Sequence, residues 1–307
     1  MNQNGKTKLI ISGVLAVILV TATLITLIAL RREKPIEETA VSLDYEITLS
    51  AASNAENVPQ ASAQTDSGMS DYSSYPLKTP SECQAVIDAY AADHGIDPLT
   101  YPIDMVNLLS TNPDTLDFVL HYPEYAGTQD GPEYPGSIDM SGDFTTVRVP
   151  EYYQFDIRWG YKTYAGGIVG LNGSGPTALS MAASYLLGNR DMNPAWMASY
   201  AENNTYTLEG GTNWTLMSDG ATGLGIDVTP ITAEQDRIER NLDVGNLVMC
   251  LMGPGDFTTS AQYILIVGYS DEGYEIRDPG SPSRTSLRWQ YDRLAPQMDG
   301  CWIMRIL

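Results

Sequence analysis

At Gly173-Ser174-Gly175-Pro176-Thr177 a hydroxyl stands between two glycines and just ahead of a proline. Pro176 suits the first turn of a helix, where no N–H is needed, and the glycines permit a close backbone approach. Ser174 then falls at a helix N-terminus, where unpaired N–H groups and aligned peptide dipoles favour negative charge. A hydrolase would want its nucleophile there. A serine, however, needs a base, and neither His94 nor His121 has a Cys or metal-spaced partner nearby, so each reads as a local structural residue beside a helix end. Cys250 and Cys301 lie in strand-like apolar runs, where a thiol acts as a small hydrophobe, and Cys83 stands apart. A Cys250–Cys301 bridge is a matter for geometry. No cluster has the spacing of a metal site; Asp271 and Glu272 read as a solvated turn. No metal and no cofactor is therefore expected.

The elements that must position Ser174 follow from the periodicities around it. The stretch from Val149 to Leu187 passes from aromatics beside Gln154 through a glycine-rich turn into an apolar run at helical spacing. Ahead of it, three helical segments carry Val86 and Ile87, then Met105 and Leu109, then Phe118 and Val119, with Asn112-Pro113-Asp114 reading as a cap and a first-turn proline. Behind it, short helices are expected over 214–221 and over 232–242, the latter under a Thr232/Gln235 capping signal. The period then changes to two, giving strands near 247–251, 263–267, 274–277 and 301–306. Helices first and an antiparallel sheet second make an α+β pattern.

The chain has 307 residues and a formal net charge of −21, which argues against a nucleic-acid backbone as partner. Residues 9–30 carry no charge and are long enough to cross a bilayer, and Leu30 runs straight into Arg31 and Arg32 rather than into a cleavage site. The expected order is a short tail (1–8), a transmembrane anchor (9–30), an acidic spacer (31–79) rich in Ser, Ala, Glu and Asn, and a head (80–307) whose first part, 80–125, is a helical lead-in.

Five ordered motifs carry a resemblance: V-P-E-Y-Y-Q-F-D-I-R-W-G from Val149, G-S-G-P-T-A-L-S-M from Gly173, G-G-T-N-W from Gly210, G-P-G-D-F-T-T-S-A-Q-Y from Gly253 and D-P-G-S from Asp278. Together they resemble the C-thirty-nine-like cysteine peptidases, relatives of the bacteriocin-processing peptidases in the papain-like superfamily, and most resemble extracellular members from Gram-positive bacteria. The resemblance spans roughly residues 80–307 and implies a papain-like fold with N-terminal helices and a C-terminal antiparallel sheet. It implies an oxyanion-hole glutamine at Gln154 and an orienting aspartate at Asp278. Where the family pattern has its nucleophilic cysteine this chain has Ser174, and where it has its histidine base this chain has Gln262, preceded by Ala261 instead of glycine.

Those replacements matter because a thiolate is accessible near neutral pH and a serine hydroxyl is not. The Gln262 amide exchanges hydrogen bonds but takes no proton, so it cannot activate Ser174. Loss of both reacting residues, with Ala261 beside them, reads as a natural pseudopeptidase more than as a single substitution made to trap substrate. The expected function is binding of a peptide, a cell-envelope component or a protein partner without efficient cleavage, by a single-pass membrane protein with its C-terminal head extracellular. Gln154, Trp159, Ser174, Trp214 and Gln262 are the ligand-binding candidates. Tyr161, Tyr164, Trp196 and Tyr200 are further aromatic residues that either wall the groove or pack the core. The alternatives are an altered-mechanism serine hydrolase helped by Asp156, Asp256 or Asp278, and a structural interaction module that does not use the cleft.

Overall fold

The computed structural model describes residues 71–129 and 138–306. The tail, the apolar run 9–30 and the spacer as far as residue 70 lie outside the described residues, and among the described residues no helix is long and apolar enough to cross a membrane.

The described chain starts with a 3-10 turn (Tyr72–Ser74) inside the stretch expected to be spacer, where Tyr72 is buried against the lead-in and its hydroxyl donates to Asp93 at 2.6 Å. Helix α1 (Pro80–His94) follows, opening on a full capping box between Thr79 and Glu82 and ending at Gly95 in the left-handed region, φ 67°. Helix α2 (Ile103–Thr111), a 3-10 turn (Pro113–Thr115), α3 (Leu116–Leu120) and α4 (Tyr122–Tyr125) follow. Their apolar faces meet in one cluster that includes Val86, Ile87, Met105, Leu109 and Phe118. Tyr161, from the following segment, completes that cluster: its ring stacks on Phe118 at 4.4 Å between centroids and its hydroxyl donates to the Phe118 carbonyl at 2.6 Å. Gly160 and Gly170 admit the Phe118 ring, since a Cβ at either would collide with it.

A small hairpin, β1 (Thr163–Tyr164) and β2 (Gly167–Ile168), leads into α5 (Val169–Asn172) and the central helix α6 (Ser174–Leu187). Eleven of the fourteen residues of α6 are buried, as the nearly continuous apolar and small-residue run demands. Helix α7 (Pro194–Asn203), capped by the Asn193 side chain, packs beside it, and a second small hairpin follows, β3 (Thr207–Leu208) and β4 (Gly211–Thr212). Instead of one helix over 214–221 there is a 3-10 turn at Trp214–Leu216, capped by Asn213, and then a short helix α8 (Asp219–Gly223).

The remaining strands form one six-stranded antiparallel sheet in the order β5-β10-β6-β7-β8-β9. These are β5 (Ile226–Ile231), β6 (Leu247–Met252), β7 (Gln262–Ser270), β8 (Gly273–Arg277), β9 (Arg288–Trp289) and β10 (Met298–Ile306). Alternation sorts the side chains. Leu247, Met249, Tyr263, Leu265, Trp302 and Met304 join the cluster around α6, while Val248, Cys250, Ile264, Ile266, Cys301 and Ile303 join Ile238 of helix α9 (Gln235–Leu242) in another. This is the expected α+β architecture, with helices plus an antiparallel sheet.

Three local expectations change. Strand β5 did not stand out because it holds Pro230; it pairs only with β10, at the edge of the sheet, where a missing N–H is tolerated. Helix α9 starts at Gln235 rather than Thr232, whose hydroxyl donates to Glu234 Oε1 instead of capping the helix. Asn112 caps nothing with its side chain and reaches across the molecule instead. Cys250 and Cys301 are partners across β6 and β10, yet both are free thiols, with sulfurs 3.7 Å apart.

Candidate functional site

Ser174 is the first residue of α6, at the positive end of the helix dipole. The glycine after it is a requirement of packing. A Cβ on Gly175 would stand 2.6 Å from the Thr212 Cβ, so the helix start can lie against β4 only without one. Thr212 is itself held by the Tyr164 hydroxyl, 2.8 Å from its Oγ1.

The Ser174 hydroxyl oxygen accepts the backbone N–H of Tyr263 at 3.3 Å, which joins the helix start to β7. The residue before Tyr263 is Gln262, whose Nε2 donates to Asp278 Oδ1 at 3.0 Å. Serine, glutamine and aspartate therefore converge from the start of α6, the start of β7 and the loop after β8. Asp278 is almost wholly buried and collects two further donors, the Gly280 N–H at 2.7 Å and the Arg284 Nε at 2.5 Å. Burial pushes the Asp278 carboxyl up; Arg284 above all, then the Gly280 N–H and the Gln262 amide, pull against that rise. Gly280 leaves the space for this arrangement, since a Cβ there would meet Gln262 Nε2 at 2.7 Å.

Gln154 lies under this cluster. Its backbone N–H donates to the Pro279 carbonyl at 2.9 Å and its Nε2 to the Gly170 carbonyl at 2.9 Å, while its Oε1 is buried without a partner. It ties the Asp278 loop to the turn that precedes Ser174. Its side chain is not part of the groove wall.

That groove has a volume of about 560 Å³ and is open beside Ser174. Ser174, Ala261 and Gln262 line it together with Leu208, Glu209 and Trp214. Leu208 and Trp214 are each 56% exposed, so this wall offers apolar surface to solvent. Trp159 is not where the sequence reading put it. It is fully buried, its indole N–H donates to the Tyr153 carbonyl at 2.8 Å, and its ring packs in the central core. Tyr161 and Tyr164 are likewise buried, and Trp196 and Tyr200 stack on each other against the core. Of the six aromatic residues considered, Trp214 alone lines the groove.

Each acid considered as a helper is engaged by an arginine. Asp156 pairs with Arg158 at 2.6 Å, Asp256 with Arg293 at 2.6 Å, and Asp278 with Arg284. Arg293 holds the Asp256 carboxyl below the usual carboxylate range. The chain's two histidines both sit in the lead-in, where His94 Nδ1 lies 2.8 Å from the Tyr90 carbonyl and His121 Nδ1 2.7 Å from the Asp117 carbonyl.

One residue that matters here was not singled out from the sequence: Arg284, whose signal was a lone cation six residues after Asp278. Two others, Asn112 and Asp114, were read only as a local cap. Asn112 Nδ2 donates to the Gly280 carbonyl, and the Asp114 carboxylate accepts the Ser281 hydroxyl at 2.7 Å and the Ser283 hydroxyl at 2.9 Å. The lead-in thus grips the loop that carries Asp278. No local pattern announces a contact across about 170 residues.

No curated protein matches the chain. Among solved structures, the peptidase domain of Streptococcus ComA, described as a bi-functional ABC transporter involved in a quorum-sensing pathway, is similar over 44% of this chain and 93% of its own, at 22% identity and a TM-score of 0.37. The sequence profile of the Peptidase_C39 like family matches residues 146–305, more than half of the chain and all of the elements that bring Gln154, Ser174, Gln262 and Asp278 together. The chain belongs to the Peptidase_C39 like family.

Proposed function

We propose that the head is a pseudopeptidase, which binds an extended peptide, or a peptide-bearing envelope component or protein, in the groove beside Ser174 and releases it uncut. The observation that carries this reading is that, among the described residues, the Ser174 hydroxyl is met by the Tyr263 N–H and by no base. The position opposite holds an amide that already donates to Asp278, and both histidines of the chain are engaged in the lead-in. A neutral serine hydroxyl at a helix N-terminus has no route to give up its proton there. The open groove, with Leu208 and Trp214 on its wall, supports retained recognition. Asp278 then persists because it holds the loop together through Arg284 and Gly280. The apolar run 9–30 would tether this head to a membrane with the groove on the outer side.

The test is incubation of the full chain with a peptide library, followed by mass spectrometry of what is bound and what is cut. Saturable binding of peptides recovered intact, unchanged in mass by Ser174→Ala, is expected. Turnover that disappears in Ser174→Ala would replace the proposal with a serine hydrolase of altered mechanism. Failure of folded protein to hold any peptide would leave an interaction module that works through another face.

A further inference from the structure

A second cavity, of about 450 Å³, lies at the turn end of the β7–β8 hairpin and shares no lining residue with the groove beside Ser174. Its walls bring together Glu239 from α9, Tyr269, Asp271 and Tyr274 from the hairpin, and Tyr291 and Asp292 from the start of the short helix α10 (Tyr291–Leu294). No lysine, arginine or histidine lines it. Its size is that of a small-ligand site.

The hydrogen-bond inventory narrows what it can hold. Each tyrosine hydroxyl already donates within the protein: Tyr269 to Asp243 at 2.7 Å, Tyr274 to Glu239 Oε1 at 2.9 Å and Tyr291 to the Ala233 carbonyl at 2.6 Å. Both lining amides donate as well, Gln235 to Glu239 Oε1 at 2.9 Å and Gln290 to the Glu272 carbonyl at 2.8 Å. Acceptors and aromatic rings remain in excess. The Tyr269 ring, 39% exposed, lies 6.0 Å from that of Tyr274, which is 3% exposed and packs in the cluster around Ile238 with Tyr291 against it, so Tyr269 supplies the ring face open to a cation. An anion would meet three carboxylates, and a sugar would find few free donors. A cation with N–H donors on an apolar stem satisfies both the carboxylates and the exposed Tyr269 ring.

We propose that this cavity binds a primary alkylammonium group, carried either by a lysine side chain of a polypeptide or by a free amine. The site is independent of the chemistry at Ser174. The chain's net charge of −21 would draw such cations toward it.

The test uses saturation-transfer NMR on the full chain with four probes: butylammonium, N-acetyl-lysine amide, tetramethylammonium and N-acetyl-norleucine amide. The first two are expected to bind and to weaken with added salt, and the last two to bind at least about tenfold more weakly, lacking respectively donors and charge. Tighter binding of N-acetyl-lysine amide than of butylammonium would identify a polypeptide as the source, and equal binding a free amine. Tyr269 is 39% exposed and Asp271 is exposed, so Tyr269→Ala and Asp271→Asn leave the fold intact; each is expected to weaken butylammonium about fivefold, and Glu239→Gln about tenfold. Equal binding of all four probes would overturn the proposal. So would affinities in the three variants within twofold of the parent, or no binding of butylammonium at millimolar concentration.

Discussion

Replacing Arg284 with methionine isolates what keeps Asp278 in its loop. The Asp278 side chain is 0% exposed and that of Arg284 21%, and their Nε–Oδ2 distance is 2.5 Å. Methionine keeps much of the stem's volume and removes the charge, so the carboxylate loses its strongest stabiliser while keeping the Gly280 and Gln262 donors. Breaking a buried pair at one partner costs about 3–5 kcal/mol, and the partial exposure of Arg284 sets the expectation at the low end, about 3 kcal/mol at pH 7. For a unit of this size that is roughly 6–12 °C in Tm. The cost should depend on pH in a set direction. Asp278 has a raised folded-state pKa, so its contribution to stability is full below the unfolded value near about 4 and is lost as pH rises through the folded one. Removing Arg284 raises the folded value further, so the penalty relative to the parent is largest at neutral pH and shrinks toward pH 4. Urea unfolding of both proteins between pH 4 and 7.5 measures this. The double variant Arg284→Met with Asp278→Asn should recover most of the loss. A cost below about 1 kcal/mol at pH 7, or one that grows in acid, would refute the account of Asp278 as a structural anchor.

Gly175→Ala should destabilise the head by about 1–3 kcal/mol, because the new Cβ would collide with Thr212; thermal melting reads it, and an unchanged Tm would mean that β4 yields freely. Trp214→Ala should leave stability within about 0.5 kcal/mol yet weaken a groove-bound peptide about thirtyfold, measured by calorimetry, since this side chain is 56% exposed and lines the groove. Cys83, Cys250 and Cys301 are all buried, and the hydrogen bond with Cys301 together with burial pushes the Cys250 thiol well up. A maleimide at pH 8 should therefore label none of the three in the folded head and all three in guanidinium.

Much of this architecture was legible because it rests on local signals. The capping residues around α1, the Gly-Ser-Gly-Pro start of α6 and the alternation in β6, β7, β8 and β10 all express themselves within a few residues of sequence. The convergence of Ser174, Gln262 and Asp278 was legible only through ordered motifs, since no periodicity says that a helix start and a strand start will meet. Trp159 failed as a groove residue because its type is equally suited to a core and a binding wall, and only the fold decides which. Pro230 hid an edge strand by breaking the rule for central ones. Arg284 was passed over, and Asp114 was read only as part of a local cap, because a charged residue looks solvated until its partner is known.

The grip of the lead-in on the Gly280–Ser283 loop bears on where this chain can be cut. The family profile begins at residue 146, after both Asn112 and Asp114. A fragment started there would bare Tyr161, strip its Phe118 cover and leave four polar groups of the loop to find water. The smallest expressible piece is therefore set by the 3-10 turn at Tyr72–Ser74, whose buried Tyr72 ring packs edge-on against Tyr90 of α1, some seventy-five residues upstream of the recognisable family sequence. Among relatives, a matching insertion ahead of the profile would be the mark of a chain that shares this arrangement.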